Sequence, residues 1–193
     1  MIFGLSFPHP QFDLKGDEMS SSDMYLKELL LRYQASFDIT ENFKIGNTTF
    51  PAYAWFHSLS EKYVLKKEAQ LWAVTVFEHV FFIQKESLDC GDLEELTSLI
   101  KETLEPVLVR KNEKYPEKDH MCSYLTFVII LDKAPDESTK KAIKKFHFDK
   151  GYLFNFRGHS EARLAVTALD TQEVFSNYGG KELKSMLCDI YKN

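Results

Sequence analysis

The chain has 193 residues, of which 44% are hydrophobic, enough for one globular domain with a sizeable core. Its formal net charge of −5 argues against a generic nucleic-acid-binding protein, because such proteins bind phosphates through an excess of Lys and Arg. The longest apolar run, residues 125–131, is too short to cross a bilayer. Three distant cysteines without a Cys-x-x-Cys pair are typical of free thiols, so we predict a cytoplasmic protein.

The aromatic content indicates the fold class. Sixteen Phe, nine Tyr and two Trp favour extensive sheet, because aromatic side chains pack well on pleated, half-buried surfaces. Eight Gly and six Pro are too few for the many turns of an all-β sandwich. We therefore predict one α+β domain over residues 22–193, with a largely antiparallel sheet of two strand runs and about four packing helices. Residues 1–21 are predicted to form a disordered extension.

In chain order, the periodicity first predicts a helix over residues 22–37, capped at Ser22 and Asp23. A hairpin follows over residues 42–50 around Gly46-Asn47. Four short alternating segments then predict an antiparallel meander: residues 53–58, 63–65, 69–77 and 79–84.

In the second part of the chain, predicted helices alternate with predicted strands. A helix is predicted from Asp92, with Glu95 in capping-box spacing and Pro106 as its end. The apolar run 124–131 predicts a central strand that is covered on both faces, and Pro135 opens a third helix. The remaining segments predict three strands, 152–156, 162–168 and 174–175, and a closing helix over 183–190.

Two segments of the chain resemble each other. Residues 68–81 and 161–175 both contain Glu-Ala-x-Leu, then Ala-Val-Thr, then Val-Phe. One interpretation is an internal duplication, with halves 40–110 and 120–193 related by a pseudo-twofold axis. The alternative is coincidence among residues that are common in strands.

Four residues form a candidate catalytic set, Asp149, Lys150, Glu161 and Arg163. Glu161 and Arg163 alternate on one predicted strand, so they share a face. Metal-dependent nucleases use an Asp followed by Glu-x-Lys, in which the carboxylates hold Mg²⁺ and the Lys assists the attacking water. Arg163 replaces that Lys and, because Arg stays protonated, could stabilise charge but not act as a base. The alternative is a solvated ion pair on an exposed strand.

Other metal and nucleophile patterns are incomplete. His159-Ser160-Glu161 resembles the His-x-Glu of zinc deaminases, but the Pro-Cys-x-x-Cys partner is missing, so we assign no metal and no cofactor. Cys122 follows His120, yet a Cys–His nucleophile requires the two side chains to be adjacent in space. The alternative for Cys122 is a buried small residue at the entrance of a strand.

Five ring-bearing residues are candidates for a small-ligand pocket: Tyr53, Trp55, His57, Phe154 and Phe156. The first three alternate on one predicted strand and the other two on another, so each group shares a face. The alternative is a packed aromatic core without a cavity. For His57 the alternative is a hydrogen-bonded, partly buried histidine.

Charged residues of opposite sign are concentrated in different halves of the chain. The basic region consists of Lys140, Lys141, Lys144, Lys145, Lys150 and Arg157. The acidic region consists of Glu86, Asp89, Asp92, Glu94 and Glu95. Such surfaces could support a homodimer or docking to a charged protein partner, and solvated helix faces are the alternative. We predict neither a membrane nor a nucleic-acid partner.

Three segments together are similar to a known family. They are Ala-Trp-Phe-His at 54–57 with the strand that follows, His-Met-Cys-Ser-Tyr-Leu-Thr at 120–126, and Phe-Arg-Gly at 156–158 leading to Arg163-Leu164. They resemble a small bacterial family known only as a domain of unknown function. The resemblance covers most of the chain after Met19 and implies one compact domain, and it brings no activity and no site residues.

The leading hypothesis is therefore a non-enzymatic binding or interaction protein, because no complete catalytic, metal or phosphate-binding motif occurs. The first alternative is a divergent Mg²⁺-dependent nuclease or phosphodiesterase that uses the four residues named above. The second is a protein that binds a small ligand in the aromatic pocket.

Overall fold

The computed structural model describes residues 20–63 and 70–192. Its strands are β1 Asp38–Ile45, β2 Thr48–Tyr63, β3 Gln70–Lys85, β4 His120–Leu131, β5 Asp149–Gly151, β6 His159–Ala168 and β7 Glu173–Ser176. Its helices are α1 Ser21–Tyr33, α2 Cys90–Leu99, a π-helix Ile100–Val109, α3 Glu137–Lys145 and α4 Leu183–Ile190. The strands form one sheet in the order β1-β2-β3-β4-β6-β5, with β7 beside β6. The predicted α+β class is confirmed.

The sheet is mixed rather than antiparallel throughout. β4 runs parallel to β3 on one side and to β6 on the other, whereas the four outer pairings are antiparallel. Parallel neighbours require a crossover that carries the chain back. The first crossover contains α2 and the π-helix, and the second contains α3. Helices cover the sheet on both sides of β4, which is why residues 125–131 are buried whichever way they point.

Two hydrophobic clusters divide the core between the faces of the sheet. The first face packs against α2, the π-helix and α3, through residues that include Phe81, Phe127 and Leu164. The second face packs against α1 and α4, through residues that include Phe82 and Val128. Strand residues alternate between these faces, so neighbouring positions in one strand have different surroundings.

The helices begin at short polar side chains, but not always at the predicted ones. Ser20, not Ser22 or Asp23, caps α1, since its Oγ accepts a hydrogen bond from the amide of Asp23 at 3.1 Å. Asp89 caps α2, and Asp92 is the reciprocal member of that capping box rather than its start.

Pro106 does not end the second helical segment. The chain continues to Val109 as a π-helix, in which the Arg110 amide bonds to the Glu105 carbonyl five residues back at 3.2 Å. The wider π turn accommodates a residue that has no N–H to donate.

The strand predictions need three corrections. Residues 69–77 and 79–84 belong to one strand, β3, whose described part begins at Gln70. Residues 152–156 form a turn, because Leu153, Phe154 and Asn155 adopt the left-handed conformation with φ of 50°, 51° and 66°. The preceding residues 149–151 form the short edge strand β5 instead.

Some sequence predictions fall on residues outside the described part of the chain. They concern residues 1–19 of the N-terminal extension, two residues of the segment 63–65, and Glu68-Ala69 of the first repeat. Val80-Phe81 lies inside β3 and Val174-Phe175 in the separate strand β7, so the later parts of the two copies have different settings. The internal duplication stays a prediction.

No described helix combines the length and apolar character that a bilayer crossing requires. Within residues 20–63 and 70–192, the longest α-helix is α1, with 13 residues.

Candidate functional site

Polar side chains collect on the second face, at the end of the sheet where β4 and β6 begin. The strand register aligns Asp149 with Glu161, Glu161 with Tyr124, and Tyr124 with Glu78. Aligned residues on neighbouring strands point to the same face at a spacing of about 4.8 Å. These side chains therefore form one row across four strands, where the apolar packing against α1 and α4 gives way to polar groups.

Three potential metal ligands converge at the β5–β6 edge of this row. Asp149, His159 and Glu161 each offer one ligand atom, and these atoms all lie within 4.8 Å of one another. His159 and Glu161 are half-buried and Asp149 is exposed. A dication could contact all three side chains after small rotamer adjustments, since metal–ligand bonds to N and O are about 2.0–2.2 Å long for zinc.

Gly158 is required immediately before this cluster. Its φ is +72°, and a Cβ at this position would lie 2.2 Å from the carbonyl oxygen of Met121. Any other residue would collide with the β4 backbone and move the start of β6. The conformation of this glycine therefore fixes where His159 enters the sheet.

Arg163 lies next to the carboxylates on the same face. Its Nε is 3.4 Å from Glu161 Oε1, and its Nη1 is 3.7 Å from Glu78 Oε1. Its guanidinium carbon lies 3.4 Å from the centre of the Tyr124 ring, a cation–π contact. Glu78 also accepts a hydrogen bond of 2.8 Å from the Thr126 hydroxyl. Arg163 thus supplies a positive charge between two acids, close to the potential ligands.

Cys122 lies beside His159 on the neighbouring strand. The two residues are aligned in the β4–β6 register, and the Cys122 Sγ is 3.5 Å from His159 Nε2. Cys122 is 2% exposed. Burial raises the pKa of its thiol to about 11, so the thiol is protonated at neutral pH and is a poor nucleophile.

Tyr33 reaches the same face from α1. Its hydroxyl is buried and is the one buried side-chain oxygen or nitrogen in the described chain without a hydrogen-bond partner. Burial raises the pKa of this phenol, and the negative charge of Glu78 raises it further. An unpaired buried hydroxyl costs free energy, so this position can gain from a polar partner.

The first face carries a different polar cluster, built around Glu105. This carboxylate is fully buried and accepts hydrogen bonds from Arg110 Nε at 2.8 Å, Lys150 Nζ at 2.9 Å and the Tyr152 hydroxyl at 2.8 Å. Burial acts to raise the Glu105 pKa, but the combined hydrogen bonds lower it below its ordinary value. All of these groups are satisfied by one another, so the cluster is a structural anchor for the π-helix.

The structure separates one member of the candidate catalytic set from the others. Asp149, Glu161 and Arg163 share the second face. Lys150 points to the first face, because consecutive strand residues alternate, and it binds Glu105 there. The predicted role of Lys150 beside the carboxylates is therefore corrected.

The five residues of the predicted aromatic pocket are not brought together. Tyr53 is buried against Phe43, with ring centres 4.1 Å apart, and its hydroxyl pairs with His79. Phe154 and Phe156 are 95% and 82% exposed in the β5–β6 turn. That turn lies four strand spacings from β2, about 19 Å along the sheet.

Trp55 and His57, the other two members of that set, remain neighbours. They stack at 5.0 Å on β2, and His57 is exposed rather than partly buried as predicted. The stacked pair on β2 and the two exposed phenylalanines beside β5 therefore lie toward opposite edges of the sheet.

Sequence reasoning missed His159 as a partner of the two carboxylates. His159 and Glu161 lie two residues apart on one strand, so alternation alone places them on the same face. The His-x-Glu motif was considered only as part of a zinc-deaminase site. Because this sequence lacks the cysteines of such a site, the motif was rejected together with the possibility that His159 and Glu161 bind a metal with Asp149. The histidine beside Cys122 is likewise His159 and not His120, which bonds Ser123 at 2.9 Å on the first face.

Comparison with known proteins shows the family of the chain. Residues 21–189 match the model of a family described as a domain of unknown function, DUF8052. No curated protein and no solved structure matches the chain. The resemblance to a domain of unknown function is confirmed, and the bacterial origin of the family stays a prediction.

Proposed function

The chain belongs to the DUF8052 family, a domain of unknown function, so the family assigns it no activity. We therefore propose a function from the geometry of the second face. The protein is a metal-binding protein that holds a divalent transition-metal ion between Asp149, His159 and Glu161. The observation that carries this proposal is the convergence of three ligand atoms within 4.8 Å.

The donor set favours a transition metal over Mg²⁺ or Ca²⁺. Mg²⁺ and Ca²⁺ prefer oxygen ligands, whereas imidazole is a good ligand for Zn²⁺, Fe²⁺ and Ni²⁺. One imidazole and two carboxylates leave at least one coordination position for water or a ligand. The partial exposure of the three residues gives such a ligand access from solvent.

Thermal unfolding in the presence of metals tests the proposal on the full chain. We expect Zn²⁺ or Ni²⁺ to raise the melting temperature at concentrations where Mg²⁺ and Ca²⁺ do not. A metal at a hundred times its Kd adds about 2.7 kcal/mol to the free energy of unfolding. The single variants His159→Ala and Glu161→Gln should lose most of this increase.

Matched controls separate the site from nonspecific binding. His147 and Glu94 are exposed and lie outside the cluster. The variants His147→Ala and Glu94→Gln should keep the full increase in melting temperature. Equal responses of site and control variants, or no response of the native chain, would rule out the site.

A second candidate function follows from Arg163. A phosphoryl group on the metal would lie near this guanidinium, which could stabilise the negative charge that develops during hydrolysis. We therefore also propose metal-dependent phosphodiester hydrolysis, the first alternative from the sequence without Lys150. Hydrolysis of bis(4-nitrophenyl) phosphate by the Zn²⁺-loaded chain is the assay, and Arg163→Lys should lower kcat/KM about tenfold or more. A metal-loaded chain without hydrolysis contradicts this second function only.

Self-association stays a proposal as well. The acidic helix α2 packs beside the basic helix α3 within one chain, but the described salt bridges take Asp92 to Lys85 and Lys140 to Glu137 and Glu173 rather than from one helix to the other. A homodimer held by the remaining charges should dissociate between low and physiological salt, which sedimentation measures.

A further inference from the structure

We propose that Cys122 supplies a fourth, thiolate ligand to this metal, so that the site selects Zn²⁺ over Mn²⁺ and Mg²⁺. The inference rests on the metal site proposed above and specifies its metal, and a fourth protein ligand would fill the position that phosphodiester hydrolysis requires, so it favours metal binding without hydrolysis. It predicts a mixed site of one sulfur, one imidazole nitrogen and carboxylate oxygen.

The distance between Cys122 and His159 fits shared coordination. Their Sγ and Nε2 atoms are 3.5 Å apart. In a tetrahedral zinc site, with bonds of about 2.3 Å to sulfur and 2.05 Å to nitrogen, two such ligand atoms are separated by about 3.5 Å. The pair therefore already has the spacing of two neighbouring corners of a zinc tetrahedron.

The strand register holds this spacing in place. Cys122 on β4 and His159 on β6 are direct partners of a parallel pairing in the interior of the sheet. Glu161 follows His159 on the same face, and Asp149 is the direct partner of Glu161 on β5. Three adjacent strands thus present four potential ligand residues to one region without a long loop, so little backbone ordering is required when the metal binds. Asp149, His159 and Glu161 already lie within 4.8 Å of one another, and Cys122 joins them through a side-chain rotation toward the metal.

The sulfur donor of Cys122 is what would make the site specific for a thiophilic ion. The side chain is 2% exposed, and its sulfur has His159 and the Tyr124 hydroxyl as polar neighbours. When zinc binds, a Zn–S bond replaces the S–H bond and the proton leaves to solvent. Mg²⁺ forms no stable bond of this kind, because it prefers hard oxygen ligands.

Cobalt spectroscopy tests the inference. We expect Co²⁺ added to the reduced full chain to give strong visible bands of a tetrahedral site and a sulfur-to-cobalt charge-transfer band in the near ultraviolet. Cys122→Ser should lose the charge-transfer band and bind Zn²⁺ on the order of a hundredfold more weakly. Cys90→Ser and Cys188→Ser are matched controls, since these cysteines lie on α2 and α4, and both should keep the band.

If Cys122→Ser does not fold, a measurement on the native chain still tests whether sulfur binds the metal. Zinc X-ray absorption of the wild-type protein should show one sulfur neighbour at about 2.3 Å. Cobalt or zinc bound with only nitrogen and oxygen neighbours would overturn the role of Cys122 and leave the three-residue metal site standing. Absence of Co²⁺ and Zn²⁺ binding to the folded native chain would overturn both proposals.

Discussion

The carboxylates on the two faces of the sheet differ in burial and in hydrogen bonding. On the first face, Glu105 is completely buried, and three donors from two parts of the chain satisfy it, Arg110 after the π-helix and Lys150 and Tyr152 at β5. On the second face, Asp149 and Glu161 are open to solvent to different degrees and lie side by side. A buried, fully paired carboxylate stabilises the fold, whereas two adjacent carboxylates with free oxygens are suited to a cation. The same residue type thus has a structural role on one face and a proposed binding role on the other.

The largest expected effect comes from the first face. Glu105→Ala leaves Arg110, Lys150 and Tyr152 without their shared acceptor, so we expect the free energy of unfolding to fall by about 3 kcal/mol. This value lies at the lower end of the free energies that are lost when one partner of a buried ion pair is removed, because Lys150 is 41% exposed and can be hydrated again. Chemical denaturation measures the change, and the exposed Glu102→Ala should stay within about 0.5 kcal/mol. Equal effects of the two substitutions would break the comparison.

The first face should also make stability depend on pH through His79. Burial lowers the pKa of His79 to about 4, from 6.5 in the unfolded chain. A depressed pKa means that the unfolded state binds the proton more tightly, so stability is full above pH 6.5 and is lost as the pH falls toward 4. We expect a loss of about 2 kcal/mol by about pH 5.

His79→Gln is the control for this pH dependence, since Gln can still accept from the Tyr53 hydroxyl but does not titrate. Unfolding midpoints of this variant should fall clearly less than those of the native chain between pH 6.5 and about pH 5, with the remaining decline coming from His120, whose pKa burial also lowers. An equally steep decline in the variant would assign the effect to other groups.

Tyr33 on the second face gives the opposite prediction to Glu105, because its buried polar group has no hydrogen-bond partner among the described residues. Its buried hydroxyl has no partner in the described chain, so Tyr33→Phe should raise the free energy of unfolding by about 1 kcal/mol. Tyr25 on the same helix is the matched control, because its hydroxyl donates to the Leu187 carbonyl at 2.8 Å. Tyr25→Phe should lower stability by about 1 kcal/mol. A destabilising Tyr33→Phe would mean that the hydroxyl has a bound partner in solution.

The smallest effect is expected at the proposed metal site itself. Without metal, Glu161→Gln removes a negative charge beside Asp149 and a loose contact with Arg163, so we expect a change within about 0.5 kcal/mol. Denaturation in a chelator measures this value. A loss comparable to that of Glu105→Ala would show that Glu161 is a structural anchor like its counterpart on the first face.

Local patterns predicted much of this architecture. Alternation placed Glu161 and Arg163 on one face, and the fully apolar run 124–131 became the central strand β4. The hairpin at Gly46-Asn47 formed where predicted, since Gly46 adopts a φ of +56° that favours glycine. Alternation was misleading at residues 152–156, where three left-handed residues replace the expected strand.

The sequence by itself determined the α+β class, the central strand and the face shared by Glu161 and Arg163, because these depend on periodicities within a single segment. Only the tertiary structure decided that Asp149 joins Glu161 while Lys150 turns to Glu105, and that Cys122 meets His159. Those pairs depend on which strands become neighbours and in what register. That choice is made by packing helices on both faces of the sheet, which a single segment does not encode.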